Sequence, residues 1–246
     1  MNRTQTLLSF SLPPNTMYPR VFRELLAAKG SNIEPAFFHR DPETGRPAQG
    51  RAKISTVGGP TWVGILAQPG EAHLLYKYMG EITRVLCQHL GHAVPMRLVE
   101  HTLSIRPTAE PVTYRLSEIC LRRRIGGDRE TQMKRVYSKE KPSDILIQEI
   151  LLRGLNAAAR RYGFDLPTDN QIDPQVWIKK ELGLRTFESG LIETSEASGL
   201  VIADVTMNLE LGGMWLFGDL SSRGYGRMIR RVARPGIDAP VEWDIP

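Results

Sequence analysis

Near the C-terminal end, the stretch Leu211-Gly212-Gly213-Met214-Trp215-Leu216-Phe217-Gly218-Asp219-Leu220-Ser221-Ser222-Arg223-Gly224-Tyr225-Gly226-Arg227 combines backbone freedom with positive charge. Gly218, Gly224 and Gly226 have access to positive φ and let another backbone come close. Arg223, Arg227, Arg230, Arg231 and Arg234 follow with no acid among them. Peptide N–H groups bared by glycine beside guanidiniums suit a polyanion. Tyr225 adds a ring that can stack on a base. The stretch is not a nucleotide fingerprint. There is no GxxxxGK[ST], and Gly224-Tyr225-Gly226 meets Ile229 where GxGxxG needs its third glycine.

Other chemistries find little support. His89 and His92 stand three apart with no third ligand near them, and no paired-carboxylate motif occurs. Cys87 and Cys120 are the only cysteines, too few for a zinc cluster. No metal and no cofactor is therefore expected.

These residues need a fold to hold them. A chain of 246 residues can bury a sizeable core, as one large domain or two small ones. Its hydrophobic and charged fractions are those of a globular protein. No apolar run reaches about 18 residues, so no membrane span is expected. The N-terminus leads into a short alternating segment rather than a signal-peptide core, which makes the cytoplasm the expected compartment.

The net charge of +5 is uneven. Arg115, Arg122, Arg123, Arg124, Arg129, Lys134, Arg135, Lys139 and Lys141 crowd residues 115–141 against four acids. With the C-terminal arginines they exceed the charge of the whole chain, so the remainder is net acidic. Two basic zones on a balanced background point to a specific polyanion surface.

Periodicity supplies the elements. Residues 5–12 read as a strand, and 18–28 as a helix with Val21, Phe22, Leu25 and Leu26 on one face. Ile33 to His39 reads as a short strand and Arg40 to Gly50 as a loop. Lys53 to Val57 and Thr61 to Ala67 pair across Gly58-Gly59-Pro60. Residues 70–89 form an amphipathic helix, and Pro95 to Ile105 a strand ended by Pro107. That order is a ferredoxin-like βαββαβ unit. A second half repeats the pattern. Val112 to Leu121 is a strand, and Pro142 to Tyr162 a helix that buries Ile145, Ile147, Ile150, Leu151 and Leu155. Short strands Val176–Lys180 and Leu184–Ser189, a long alternating strand Leu200–Leu211 and a closing strand Arg227–Val232 follow. The fold class is α+β, with two tandem ferredoxin-like (RRM-like) βαββαβ domains. One covers residues 1–108. The other covers 109–246, with a basic insertion near 115–141 and a glycine-rich loop at 212–227.

Two such units, with Gly218-x5-Gly224-Tyr225-Gly226 and a basic strand after it, resemble the repeat-associated RNA-binding proteins of CRISPR systems. Within that superfamily the chain is most similar to the endoribonucleases that cut the precursor transcript at its repeats, and more specifically to a type IV member. An early histidine after the first helix and a length near 250 residues favour that branch. The chain departs from the family at Leu216, where another glycine is common. The resemblance implies CRISPR repeat RNA, folded as a hairpin, and mature crRNA as partners. Further subunits of a CRISPR ribonucleoprotein complex are possible partners, and no membrane is.

The implied chemistry is metal-free. A base takes the 2′-hydroxyl proton, the oxygen attacks the adjacent phosphate, and positive charge stabilises the result. His39 is the base candidate, since it titrates near neutrality and falls where this family often carries a catalytic histidine. Arg40 is adjacent, Arg23 and Arg20 lie on the preceding helix, and Tyr18 can orient a hydroxyl. The arginines can hold the phosphate even if His39 is inert. Arg122, Arg123, Arg124, Lys134 and Arg135 are placed on the hairpin backbone, where basic side chains read shape and phosphates. Arg223, Gly224, Tyr225, Gly226, Arg227, Arg230 and Arg231 complete the expected RNA surface. A phosphoesterase with paired H-x-[ST] motifs is disfavoured, because His39-Arg40-Asp41 and His101-Thr102-Leu103 lack the third residue. Two alternatives remain open: a non-catalytic RNA-binding subunit, and a basic scaffold for acidic protein partners.

Overall fold

A computed structural model describes residues 2–30, 32–40, 43–44, 52–122, 142–167, 172–187, 196–218 and 220–231. The chain forms two compact units. The first comprises Met1–Ser104 with Leu211–Met214 and Leu220–Gly224, and the second Ile105–Glu210 with Trp215–Asp219 and Tyr225–Pro246.

In the first unit, strand β1 (Thr4–Ser11) leads to helix α1 (Pro19–Lys29), strands β2 (Ile54–Gly59) and β3 (Trp62–Ala67), helix α2 (Ala72–Leu90) and strand β4 (Met96–Thr102). The sheet order is β2-β3-β1-β4. All three neighbouring pairs are antiparallel, with Leu8 opposite Ile65 on one side and Leu98 on the other. This is the ferredoxin-like order, in which each helix carries the chain over an intervening strand. One sheet face and both helices close a core of Leu8, Phe10, Val63, Ile65, Phe22, Leu26, Leu75, Ile82 and Leu86. Phe10 and Phe22 meet edge-on at 5.9 Å between centroids. Removing a ring this buried costs roughly 3–5 kcal/mol.

α1 starts at Pro19, whose fixed φ suits the first helical turn. Its buried stripe is Phe22, Leu25 and Leu26. Val21, expected on that stripe, is 45% exposed. At about 100° per residue it lies at the stripe's edge. Ile33 to His39 is not a strand. Pro35–Phe38 is a 3-10 turn that seats Phe37 in the core, edge-on to Tyr78.

The second unit holds strand β5 (Ser104–Arg122), helix α3 (Ser143–Tyr162) and strands β6 (Gln175–Phe187), β7 (Glu196–Gly212), β8 (Trp215–Leu216) and β9 (Arg227–Arg230). Its sheet order is β6-β7-β5-β9-β8. Leaving β8 aside, this is again the ferredoxin-like order. No α-helix follows β7 among the described residues; β8 and the glycine-rich segment stand in that place. β7 alternates as expected, burying Val201, Ala203, Val205, Met207, Leu209 and Leu211. α3 buries Ile147, Leu151, Leu155, Ala158 and Tyr162, whereas Ile145 is 38% exposed.

Two strand boundaries differ from expectation. β5 runs through Pro107 and Pro111. Its pairing with β9 spans Tyr114–Ser117, so neither proline removes a bond to that strand. β6 is one strand rather than two, with register shifts at Ile178/Lys180 and Glu181/Leu184.

Candidate active site

The site is built within the first unit. Arg23 projects from α1 and is half-buried. Its guanidinium donates to the carbonyl of Phe38 and, at 3.3 Å, to that of Ser222. It also stands 5.6 Å from the centroid of the Phe38 ring. Ser222 O accepts a second bond from Thr56 Oγ1 of β2 at 3.2 Å. The turn Ser221–Arg223 is thereby fastened to α1 and β2.

Gly224 explains how the turn comes so close. Its φ is +87°, and a Cβ there would stand 2.6 Å from Thr56 O. Gly224→Ala is expected to lower unfolding stability by about 1–2 kcal/mol from the left-handed backbone alone. The clash adds to that. A urea midpoint equal to wild type would show that the contact is not tight.

His39 follows the 3-10 turn in the left-handed region, with φ 56°. Histidine adopts that region more readily than most residues. The turn is closed by Arg40 N donating to Pro35 O at 3.1 Å. Burial, and then the charge of Arg23, push the His39 imidazole below its ordinary value of 6.5. It is therefore neutral at pH 7 and able to accept a proton. Burial, then Arg223 and Arg40, lower Arg23 to about 10, which still leaves it a cation at neutral pH. Three guanidiniums and a neutral imidazole thus share one place, and an anion among them offsets their mutual repulsion.

The remaining expected residues divide. Tyr18 is 60% exposed at the start of α1. Arg20 turns along its own helix to Glu24 at 2.8 Å. Tyr225 is only 6% exposed, so its ring is packed inside and presents no open stacking face. Gly226, at φ +71°, serves the fold, since a Cβ would fall 1.8 Å from Phe217 O. Leu216, the departure from the glycine pattern, is buried in β8 opposite Arg227. The arginine run has acidic partners after all, on β7. Arg230 meets Glu210. Arg231 meets Asp204 at 2.9 Å. The side chain of Arg122 and residues Arg123, Arg124, Lys134, Arg135 and Arg234 lie outside the described residues.

Sequence reasoning placed Arg223 with the RNA-gripping residues, but the fold sets it beside Arg23. It missed the carbonyls of Phe38 and Ser222 and the hydroxyl of Thr56. The close approach that Gly224 permits was the one available signal. Among the described residues no three His, Cys, Asp or Glu side chains gather to hold a metal, and no helix is long and apolar enough to cross a membrane.

The sequence profile of the family "Type IV CRISPR-associated endonuclease Csf5" matches residues 3–233. A solved structure described as "Csf5, CRISPR-Cas type IV Cas6 crRNA endonuclease" is 27% identical, with a TM-score of 0.72 over 93% of this chain and 100% of that one. A crystal structure of Cas6b is 14% identical, with a TM-score of 0.57 over 92% of this chain and 99% of that one. At that identity it shares the fold alone. A CRISPR RNA processing endoribonuclease Cas6b, 12% identical with a TM-score of 0.54 over 92% of this chain and 99% of that one, does the same. No curated protein sequence matches the chain. The match across nearly the whole length makes this chain a member of the type IV CRISPR-associated endonuclease family.

Proposed function

We propose that this chain binds CRISPR repeat RNA, cuts the precursor transcript to mature crRNA without a metal, and stays bound to its product. The observation that carries the reading is the meeting of Arg23, His39, Arg40 and Arg223 in a chain of this family. His39 takes the proton of a 2′-hydroxyl. The 2′-oxygen bonds to the adjacent phosphorus, the bond from phosphorus to the 5′-oxygen breaks, the 5′-oxygen takes a proton from solvent and leaves as a hydroxyl, and a 2′,3′-cyclic phosphate remains. The guanidiniums hold the charge that builds on the phosphate oxygens. Tyr18, open to solvent five residues before Arg23, orients a hydroxyl.

Incubating the protein with repeat RNA in EDTA tests the reading. Cleavage with a 2′,3′-cyclic or 3′-phosphate end is expected. Activity that vanishes in EDTA and returns with magnesium would overturn the metal-free route. Binding without cutting under either condition would favour a non-catalytic RNA-binding subunit.

The shifted imidazole predicts the pH profile. A base must be deprotonated to act, and a lowered pKa keeps it so further into acid. kcat/KM should fall in acid with its inflection below 6.5, the ordinary value of a histidine. An inflection above 6.5 would remove His39 from the role.

A further inference from the structure

We propose that the open face of the second sheet is a platform for single-stranded RNA, with Trp177 stacking on an unpaired base and the cations around it holding phosphates. The proposal rests on the RNA-binding reading and adds a second contact, centred on Trp177 in the second unit rather than on the residues of the candidate active site.

Trp177 is 50% exposed on β6, an edge strand. Half of its broad surface is open to solvent, with an indole N–H as a polar handle. It lies directly opposite Asp204 of β7. Asp204 accepts from Arg115 of β5 at 2.6 Å and from Arg231 at 2.9 Å, and pairs with Lys179 at 3.4 Å. Burial pushes this carboxyl up, but the hydrogen bond and charge of Arg115 and the charge of Arg231 outweigh it and hold it below the usual carboxylate range. One carboxylate among three cations positions them without cancelling them.

The strand itself is adapted to this face. Ile178 pairs with Ala203 but Lys180 with Ile202, so Lys179 is an extra residue, a bulge. Bulges re-aim side chains. Without the slip Lys180 would point to the opposite face from Trp177, whereas its pairing with Ile202 puts it on the same one. The exposed ring is thus bordered by Lys179, Lys180, Arg115 and Arg231 against Asp204. Farther along β7, Glu210 carries two more arginines, Arg106 and Arg230.

An apolar ring bordered by cations matches a chain of bases and phosphates. A duplex keeps its bases stacked inside, so the fitting partner is an unpaired segment. Stacking of this kind tolerates any base, because every base has a π-face.

The test uses the full chain and two labelled RNAs. One is the repeat hairpin with a single-stranded flank of about eight nucleotides. The other is the hairpin alone. Trp177→Ala should weaken binding of the flanked RNA by about 5- to 100-fold and leave the bare hairpin unchanged. Trp177→Phe, which keeps a ring, should retain most of the affinity. Lys180→Ala should lower the salt slope of the flanked RNA by about 0.7. Equal affinity of Trp177→Ala and wild type for the flanked RNA, as expected if this face takes a protein instead, would overturn the proposal. So would equal weakening of both RNAs. If the wild type binds neither RNA, the functional reading falls first and takes the platform with it.

Discussion

Replacing His39 with Asn should slow single-turnover cleavage of repeat RNA by about 10²–10⁴-fold, the range expected for loss of a general base. Asparagine is the informative choice because residue 39 sits at φ 56°. Asn adopts that conformation readily, whereas Ala would add backbone strain to the chemical loss. The variant should therefore keep wild-type thermal stability and affinity while losing rate. The drop in rate below pH 6.5 should disappear with it, since the titrating group is gone. A wild-type rate in His39→Asn would place the chemistry on the guanidiniums alone.

Arg23→Ala should cost about 10²–10³-fold in the same assay, as when one fixed donor to a developing charge is removed. Affinity should fall far less, because it is spread over many phosphate contacts. Arg23 also fastens the carbonyls of Phe38 and Ser222, so Ala releases both the 3-10 turn and the Ser221–Arg223 turn. Arg23→Lys separates the two roles. It keeps a cation but loses the planar fork, and should recover part of the rate without recovering the turn. If Lys restored full activity, charge alone would suffice and the fork geometry would be irrelevant. If both variants cut normally, the centre would not be at α1.

Much of the fold was legible because its elements are strongly periodic. α2 spaces Leu74, Leu75, Tyr78, Ile82, Val85 and Leu86 at helical intervals, and β7 alternates over its length. Local apolar runs were less informative. Ala36, Phe37 and Phe38 fit a strand or a 3-10 turn equally, and Pro35 together with the demands of the core decided for the turn. Pro107 reads as a strand end but lies outside the pairing with β9.

The site was half legible. His39 and Arg23 are close in sequence, and their types suggest the chemistry proposed for them. The partnership of Arg23 with Ser222 was invisible, as was the acid that meets Arg231, because both depend on how distant strands come together. The glycines were read as a phosphate cradle. Gly224 and Gly226 relieve close backbone contacts inside the fold, and Tyr225 is buried between them.

The bond between Arg23 and Ser222 joins residues 199 positions apart. During synthesis at about 5–20 residues per second, roughly 10–40 s separate the appearance of the two partners. For most of that interval the nascent chain carries Arg23, His39 and Arg40, yet lacks Arg223 and the turn that holds it. The pocket of charge can close only after nearly all of the second sheet has been made. A ribosome-bound fragment that ends before Ser222 therefore carries Arg23, His39 and Arg40 without the turn that completes the proposed centre. A chain stalled before Ser222 should bind RNA weakly and leave it intact.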